Sequence, residues 1–171
     1  MHYNEIKKLT SRGRYCCDLN LGELIPKFDS YIAEYELQIC PDFQRGHVWT
    51  QEQQIKYCEF MLRGGCTNNE FLLNHPGWMH TFRGDFVLVD GLQRLTAIRE
   101  MLEDKVPVFG VAFSSIEDNR KFKSEVNFKV NVNNLKTRKE VLNWYLELNS
   151  NGTPHTAEEI TRVKELLGKE N

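Results

Sequence analysis

The pentapeptide Asp90-Gly91-Leu92-Gln93-Arg94 places a carboxylate, a glycine, an amide and a guanidinium within one turn of chain. Phe86-Val87-Leu88-Val89 before it is a short apolar strand, and Leu92, Leu95, Ile98 and Leu102 behind it recur at helical intervals. The spacing therefore predicts a helix starting at about Gly91 or Leu92. A helix that begins directly after a buried strand aims its free N–H groups and positive dipole end at the strand's carboxyl edge, where an anion is stabilised. Gly91 allows close backbone approach, and Arg94, in the first turn, can fork onto phosphate oxygens. Asp90 can take a hydroxyl proton or hold a divalent cation, and Gln93 can orient a ligand or a water. Asp90, Gln93 and Arg94 are the candidate catalytic residues on this reading. A plain structural role also fits: Asp-Gly is a common turn, Asp caps helices, and an early Arg often pairs with a neighbouring acid.

A second cluster, Pro41-Asp42-Phe43-Gln44-Arg45-Gly46-His47-Val48-Trp49, is read as a loop in which polar groups are free to meet a ligand. Arg45 can grip phosphate. Trp49 can stack on a base, but anchoring the loop is the favoured role. His47 is taken as an exposed loop residue. A third feature is basic: Arg120, Lys121, Lys123, Lys129, Lys136, Arg138 and Lys139 lie between Asn119 and Lys139 against the single acid Glu125. Arg120, Lys121, Lys123, Lys129, Lys136 and Arg138 are the candidate nucleic-acid contacts. A solvated face around an edge strand explains the same run equally well.

The elements that must position these groups are partly legible. Thr50-Gln51-Glu52-Gln53 has the form of a capping box, followed by Ile55, Cys58 or Glu59, and Leu62 at helical spacing, with Gly64-Gly65 as the stop. Thr137-Arg138-Lys139-Glu140 and Thr156-Ala157-Glu158-Glu159 open two further helices, and Leu21 to Phe28 forms another with Asn20 as its cap. Strands are expected at Tyr35–Cys40, Phe71–Leu73, Val106–Phe113 and Val126–Val132, and a hairpin from Trp78–Phe82 and Asp85–Val89 around Arg83-Gly84. In Val126–Val132 the alternation of apolar residues with Asn127, Lys129 and Asn131 predicts one wet face.

The chain has 171 residues, 40% of them hydrophobic and 11% aromatic, with a formal net charge of −2. These values fit one folded domain and exclude a disordered chain and nucleic-acid binding by bulk charge. The five cysteines (Cys16, Cys17, Cys40, Cys58 and Cys66) and the absence of a signal core or apolar span predict reduced thiols in a soluble cytoplasmic protein. Cys58, Cys66, His75 and His80 do not match a zinc knuckle, so no metal site is assigned. There is no Gly-x-x-x-x-Gly-Lys-Ser/Thr run, which excludes a P-loop.

Taken in order, Pro41 to Trp49, Val89-Asp90-Gly91-Leu92-Gln93-Arg94-Leu95-Thr96-Ala97, and Leu148-Asn149-Ser150-Asn151-Gly152-Thr153-Pro154 before Glu158 or Glu159 resemble the N-terminal domain of GmrSD-type modification-dependent restriction enzymes. Gly91, Arg94 and Ala97 also fit the looser Gly-x-x-Arg-x-x-Ala pattern of ParB nucleotide-binding domains. The resemblance implies an α+β fold of the ParB/sulfiredoxin-like type, a small mixed sheet with surrounding helices. One domain spans 1–171, with a core over about 21–135 and a helical C-terminal segment over 136–171. It implies nucleoside-triphosphate (NTP) binding, often with hydrolysis, by Asp90, Gly91, Gln93 and Arg94 with Gln44, Arg45 and Asn149, and with Mg²⁺ as a candidate cofactor. Leu92 departs from the family, in which many members carry Gln. The chain ends without the attached nuclease module of larger members, so either a stand-alone sensor half or a protein that acts with a separate effector is expected.

Two function classes stay open. One is an NTP hydrolase or phosphoryl-transfer enzyme directed at or regulated by DNA. The other is a non-catalytic, nucleotide-gated module that holds DNA or a protein, such as a phage or mobile-element accessory in defence or anti-defence. Homodimerisation through the C-terminal helices is compatible with either.

Overall fold

Asn20 both ends the first strand, β1 (Tyr15–Asn20), and starts the first helix, α1 (Leu21–Tyr35). Its side-chain oxygen accepts the Glu23 N–H at 3.0 Å, which satisfies one of the helix's free donors. The computed structural model describes residues 5–6, 15–65, 67–150 and 157–170. After α1 come α2 (Gln51–Leu62), β2 (Glu70–Asn74), β3 (Val87–Asp90), α3 (Leu92–Leu102), a 3₁₀ turn at Phe113–Ser115, α4 (Asn119–Glu125), β4 (Asn127–Asn133), α5 (Arg138–Ser150) and α6 (Ala157–Lys169). The strands form one mixed sheet in the order β1-β4-β2-β3. β4 runs antiparallel to β1 and parallel to β2, and β2 runs antiparallel to β3. The fold is α+β.

Alternation along the strands gives the sheet two faces. Phe71, Leu73, Leu88, Phe128, Val130 and Val132 join Leu24, Phe28 and Tyr31 of α1, Cys58 and Met61 of α2, and Leu95 and Ile98 of α3 in the main core. Val87 and Val89 point the other way, into a second cluster with Leu142, Trp144 and Tyr145 of α5 and Val163 of α6. β3 is therefore buried on both sides, which explains its unbroken apolar run. Its carboxyl end, where Asp90 sits, is rigidly held.

The expected helix starts are present. Thr50 and Gln53 form a reciprocal capping box, and Glu140 Oε2 accepts from the Lys136 and Thr137 N–H groups at 3.0 Å each. The Thr156 box lies outside the described residues. Four strand expectations are corrected. Tyr35–Cys40 is not a strand, because α1 continues through Tyr35 to a left-handed Glu36 (φ 54°) and leaves only Gln38 to bridge Val87. Trp78–Phe82 is a coiled turn, with His80 and Phe82 N–H groups both returning to the Gly77 carbonyl, so β3 pairs with β2 instead. Val106–Phe113 is reduced to a bridge between Val108 and Val111 around Phe109 and Gly110, both at positive φ. The expected wet face of β4 holds at Asn127 and Lys129, which are exposed, but not at Asn131, which is buried. The sequence reading also missed β1 and α4.

Candidate functional site

The carboxyl end of β3, the start of α3, the 44–49 loop, Tyr57 of α2 and the last turns of α5 line a cleft of about 370 Å³. Gln44, Arg45, Asp90, Gly91, Gln93, Arg94 and Asn149 all line it, so the structure brings together residues drawn from three separate sequence segments. Gly91 makes the junction possible. It sits at φ +115°, and a Cβ there would lie 2.4 Å from Cδ1 of the buried Phe71 ring. Among the described residues no side chain caps α3, so the helix opens toward the cleft with its first N–H groups uncapped by a side chain. This is the geometry in which an anion is stabilised.

The side chains divide the work. Arg94 donates from Nη2 to Asp90 Oδ2 at 2.7 Å and to the Glu70 carbonyl at 3.0 Å. Its guanidinium lies 5.8 Å from the Phe71 ring centre. Gln93 holds the neighbouring loop: its Oε1 accepts from the N–H groups of Val48 (2.9 Å) and Trp49 (3.1 Å), while its Nε2 donates to the Gly46 carbonyl (3.0 Å). The amide expected to orient a ligand or a water thus positions the loop that carries Arg45 and Trp49. Trp49 is half-buried, packs on the core and stands 5.4 Å from the Tyr57 ring, so it anchors the loop while lining the cleft.

Gln44 is 7% exposed and donates both amide protons, to the carbonyls of Leu88 (2.9 Å) and Val89 (2.8 Å). A reversed amide would set its oxygen against two carbonyl oxygens, so the orientation is fixed. Its Oε1 has no partner among the described residues. Gln44 can therefore meet a hydroxyl, an amino group or a metal-bound water, and it has no proton to offer a phosphate oxygen. Asn149 donates to the Tyr145 carbonyl at 2.7 Å at the end of α5.

The basic residues do not converge. Arg120, Lys121 and Lys123 ride on α4, where Lys121 pairs with Asp118 at 3.0 Å and Lys123 lies 5.9 Å from the Phe113 ring. Lys129 stands in register with Asp18 of β1. Lys136 and Arg138 follow the far end of β4, whose 7 residues separate them from α4 by roughly 20 Å. There Lys136 donates to the Pro76 carbonyl, and Arg138 contacts Asp42 at 2.7 and 2.6 Å and Glu170 at 3.3 Å. The cysteine and histidine candidates are dispersed too. Cys58 is buried against the Ala97 carbonyl, and burial pushes its thiol up to about 12. His75 is buried and accepts the Gly77 N–H at 3.0 Å. Cys66 lies outside the described residues.

Sequence reasoning missed Tyr57. In the sequence it is one aromatic residue in a helix, off the stripe formed by Ile55, Cys58 and Leu62, and nothing local ties it to Arg94.

Fold and cleft together define an α+β domain whose cleft is built around a strand-to-helix junction. Residues 26–140 match the family described as the GmrSD restriction endonuclease, N-terminal domain, and the chain belongs to that family. The matched stretch contains the 41–49 and 89–97 segments but not Asn149. No curated protein and no solved structure shows a significant match.

Proposed function

We propose that the cleft binds a nucleoside triphosphate as part of a restriction-related activity. The single observation that carries this reading is the open start of α3 at Gly91, flanked by Arg94 and Arg45 in one cleft. The phosphates would sit against the α3 N–H groups and the two guanidinium groups. The Asp90 carboxylate, 48% exposed, is suited to hold Mg²⁺, which would neutralise phosphate charge. Gln44 would accept from a ribose hydroxyl, a base amine or a metal-bound water. Family membership supports the restriction-related setting, and the ParB/sulfiredoxin-like fold named above remains part of this proposal.

Between turnover and switching, one observation favours switching. Three of the four hydrogen-bonding positions of the Gln93 amide are taken by the loop, so the residue best suited to orient an attacking water already has a task. On this reading nucleotide occupancy alters the 44–49 loop, and a DNA or protein partner reads the change. The case for DNA rests on the family, since the basic residues are split between the ends of β4. Purified protein is to be incubated with each NTP and Mg²⁺, with and without DNA, while binding and phosphate release are followed. Binding without release supports the switch, and release that Asp90→Ala abolishes supports hydrolysis. Absence of any nucleotide binding rejects both. A Lys121→Glu/Lys123→Glu variant that holds DNA as well as the wild type rejects contact through α4.

A further inference from the structure

The wall of the cleft carries a second buried polar atom without a partner among the described residues, the Tyr57 hydroxyl. A phenol removed from water without a hydrogen bond is unfavourable, and beside an open cleft such an atom can be satisfied by a ligand group. Three observations say which group. Tyr57 lines the same cleft as Arg94, Asp90 and the start of α3. Its ring is fixed at 5.4 Å from Trp49, which is itself tied to α3 through Gln93. The Arg94 guanidinium is close enough for its charge to act on the phenol. A donor hydroxyl beside a guanidinium and an open helix start suits an anionic oxygen.

We propose that Tyr57 is a ligand-binding residue of this chain, its hydroxyl donating to a phosphate oxygen of the nucleotide held at Arg94. The proposal rests on the nucleotide reading above and adds a contact from α2 to it. Burial holds the phenol above its ordinary range, with Arg94 pulling the other way, so the hydroxyl keeps the proton it must donate. Gln44 and Tyr57 then sort the ligand by polarity: the first accepts and the second donates.

Tyr57→Phe removes the oxygen and keeps the ring against Trp49. Titrations are run with the tightest-binding NTP and with inorganic tripolyphosphate, each with Mg²⁺, on wild type, Tyr57→Phe and Arg94→Ala. The expected result is an affinity loss of about tenfold or more for both ligands in Tyr57→Phe, the scale of one hydrogen bond to a charged group. The unliganded variant should melt at or above the wild-type temperature, because no hydrogen bond is lost. Wild-type affinity in Tyr57→Phe alongside loss in Arg94→Ala overturns the Tyr57 contact and leaves the nucleotide reading standing. Loss for the NTP without loss for tripolyphosphate also overturns it, because the hydroxyl would then meet the nucleoside. Wild-type protein that binds neither ligand overturns both.

Discussion

Arg94 is held by Asp90 one helical turn before it, through a 2.7 Å contact from Nη2 to Oδ2. The guanidinium side chain is 13% exposed and the carboxylate 48%. The pair thus presents its acid outward and its base inward, beside the start of α3. On the proposed reading an arriving phosphate would be repelled by the first and attracted by the second, and a divalent cation on Asp90 would convert that repulsion into attraction.

This arrangement predicts a sign change with metal. Asp90→Asn should bind NTP severalfold more tightly than wild type in the absence of Mg²⁺, and it should lose the gain that Mg²⁺ gives the wild type. Calorimetric titration with and without the cation checks both halves. Equal Mg²⁺ dependence in the two proteins would remove Asp90 from the metal role.

Gly91 is predicted to be the least replaceable glycine at the site. A side chain there meets both the left-handed backbone and the buried Phe71 ring, so Gly91→Ala should destabilise by about 3 kcal/mol. Gly46, with nothing within 4 Å of its added Cβ, is the control, and Gly46→Ala should change stability by less than about 0.5 kcal/mol. Denaturant unfolding of both variants gives the comparison.

Gln93 should act through the loop. Gln93→Ala removes two accepted bonds and one donated bond. The Val48 and Trp49 amides should then exchange hydrogen at least about tenfold faster, while those within β3 stay protected. Unchanged exchange at both amides would show that the loop is fixed by other means.

His75 makes stability depend on pH. Burial lowers its pKa below the ordinary 6.5, so the unfolded chain takes up a proton before the folded one does. Its contribution is fully present above about 6.5 and declines as pH falls from there through the depressed folded value. Unfolding free energy measured between pH 7.5 and about 5 should fall more steeply for wild type than for His75→Gln.

What the sequence made legible was local. The Asn20 cap, the Thr50–Gln53 box and the strand-to-helix step at Asp90 depend on neighbours within a few residues, and each is present. The misreadings depend on distant chain. Trp78 and Phe82 look like strand residues, yet they pack on Tyr35 and His75 in an aromatic cluster, which the turn at Gly77 allows. Asn131 looks wet, yet it donates to Glu70 across the sheet and is covered. The cleft shows the same division. Gln44, Arg45 and Arg94 could be named from their motifs, whereas Tyr57 enters it only through the packing of α2 beside α3.

Nucleotide binding at Arg94 is tested most directly by a calorimetric titration of the four NTPs with Mg²⁺ into wild type and Arg94→Ala. At least one NTP should bind the wild type, and its affinity should fall at least about tenfold in the variant, consistent with loss of a charged hydrogen-bond donor. Binding that is absent from the wild type, or equal in the two proteins, would contradict it.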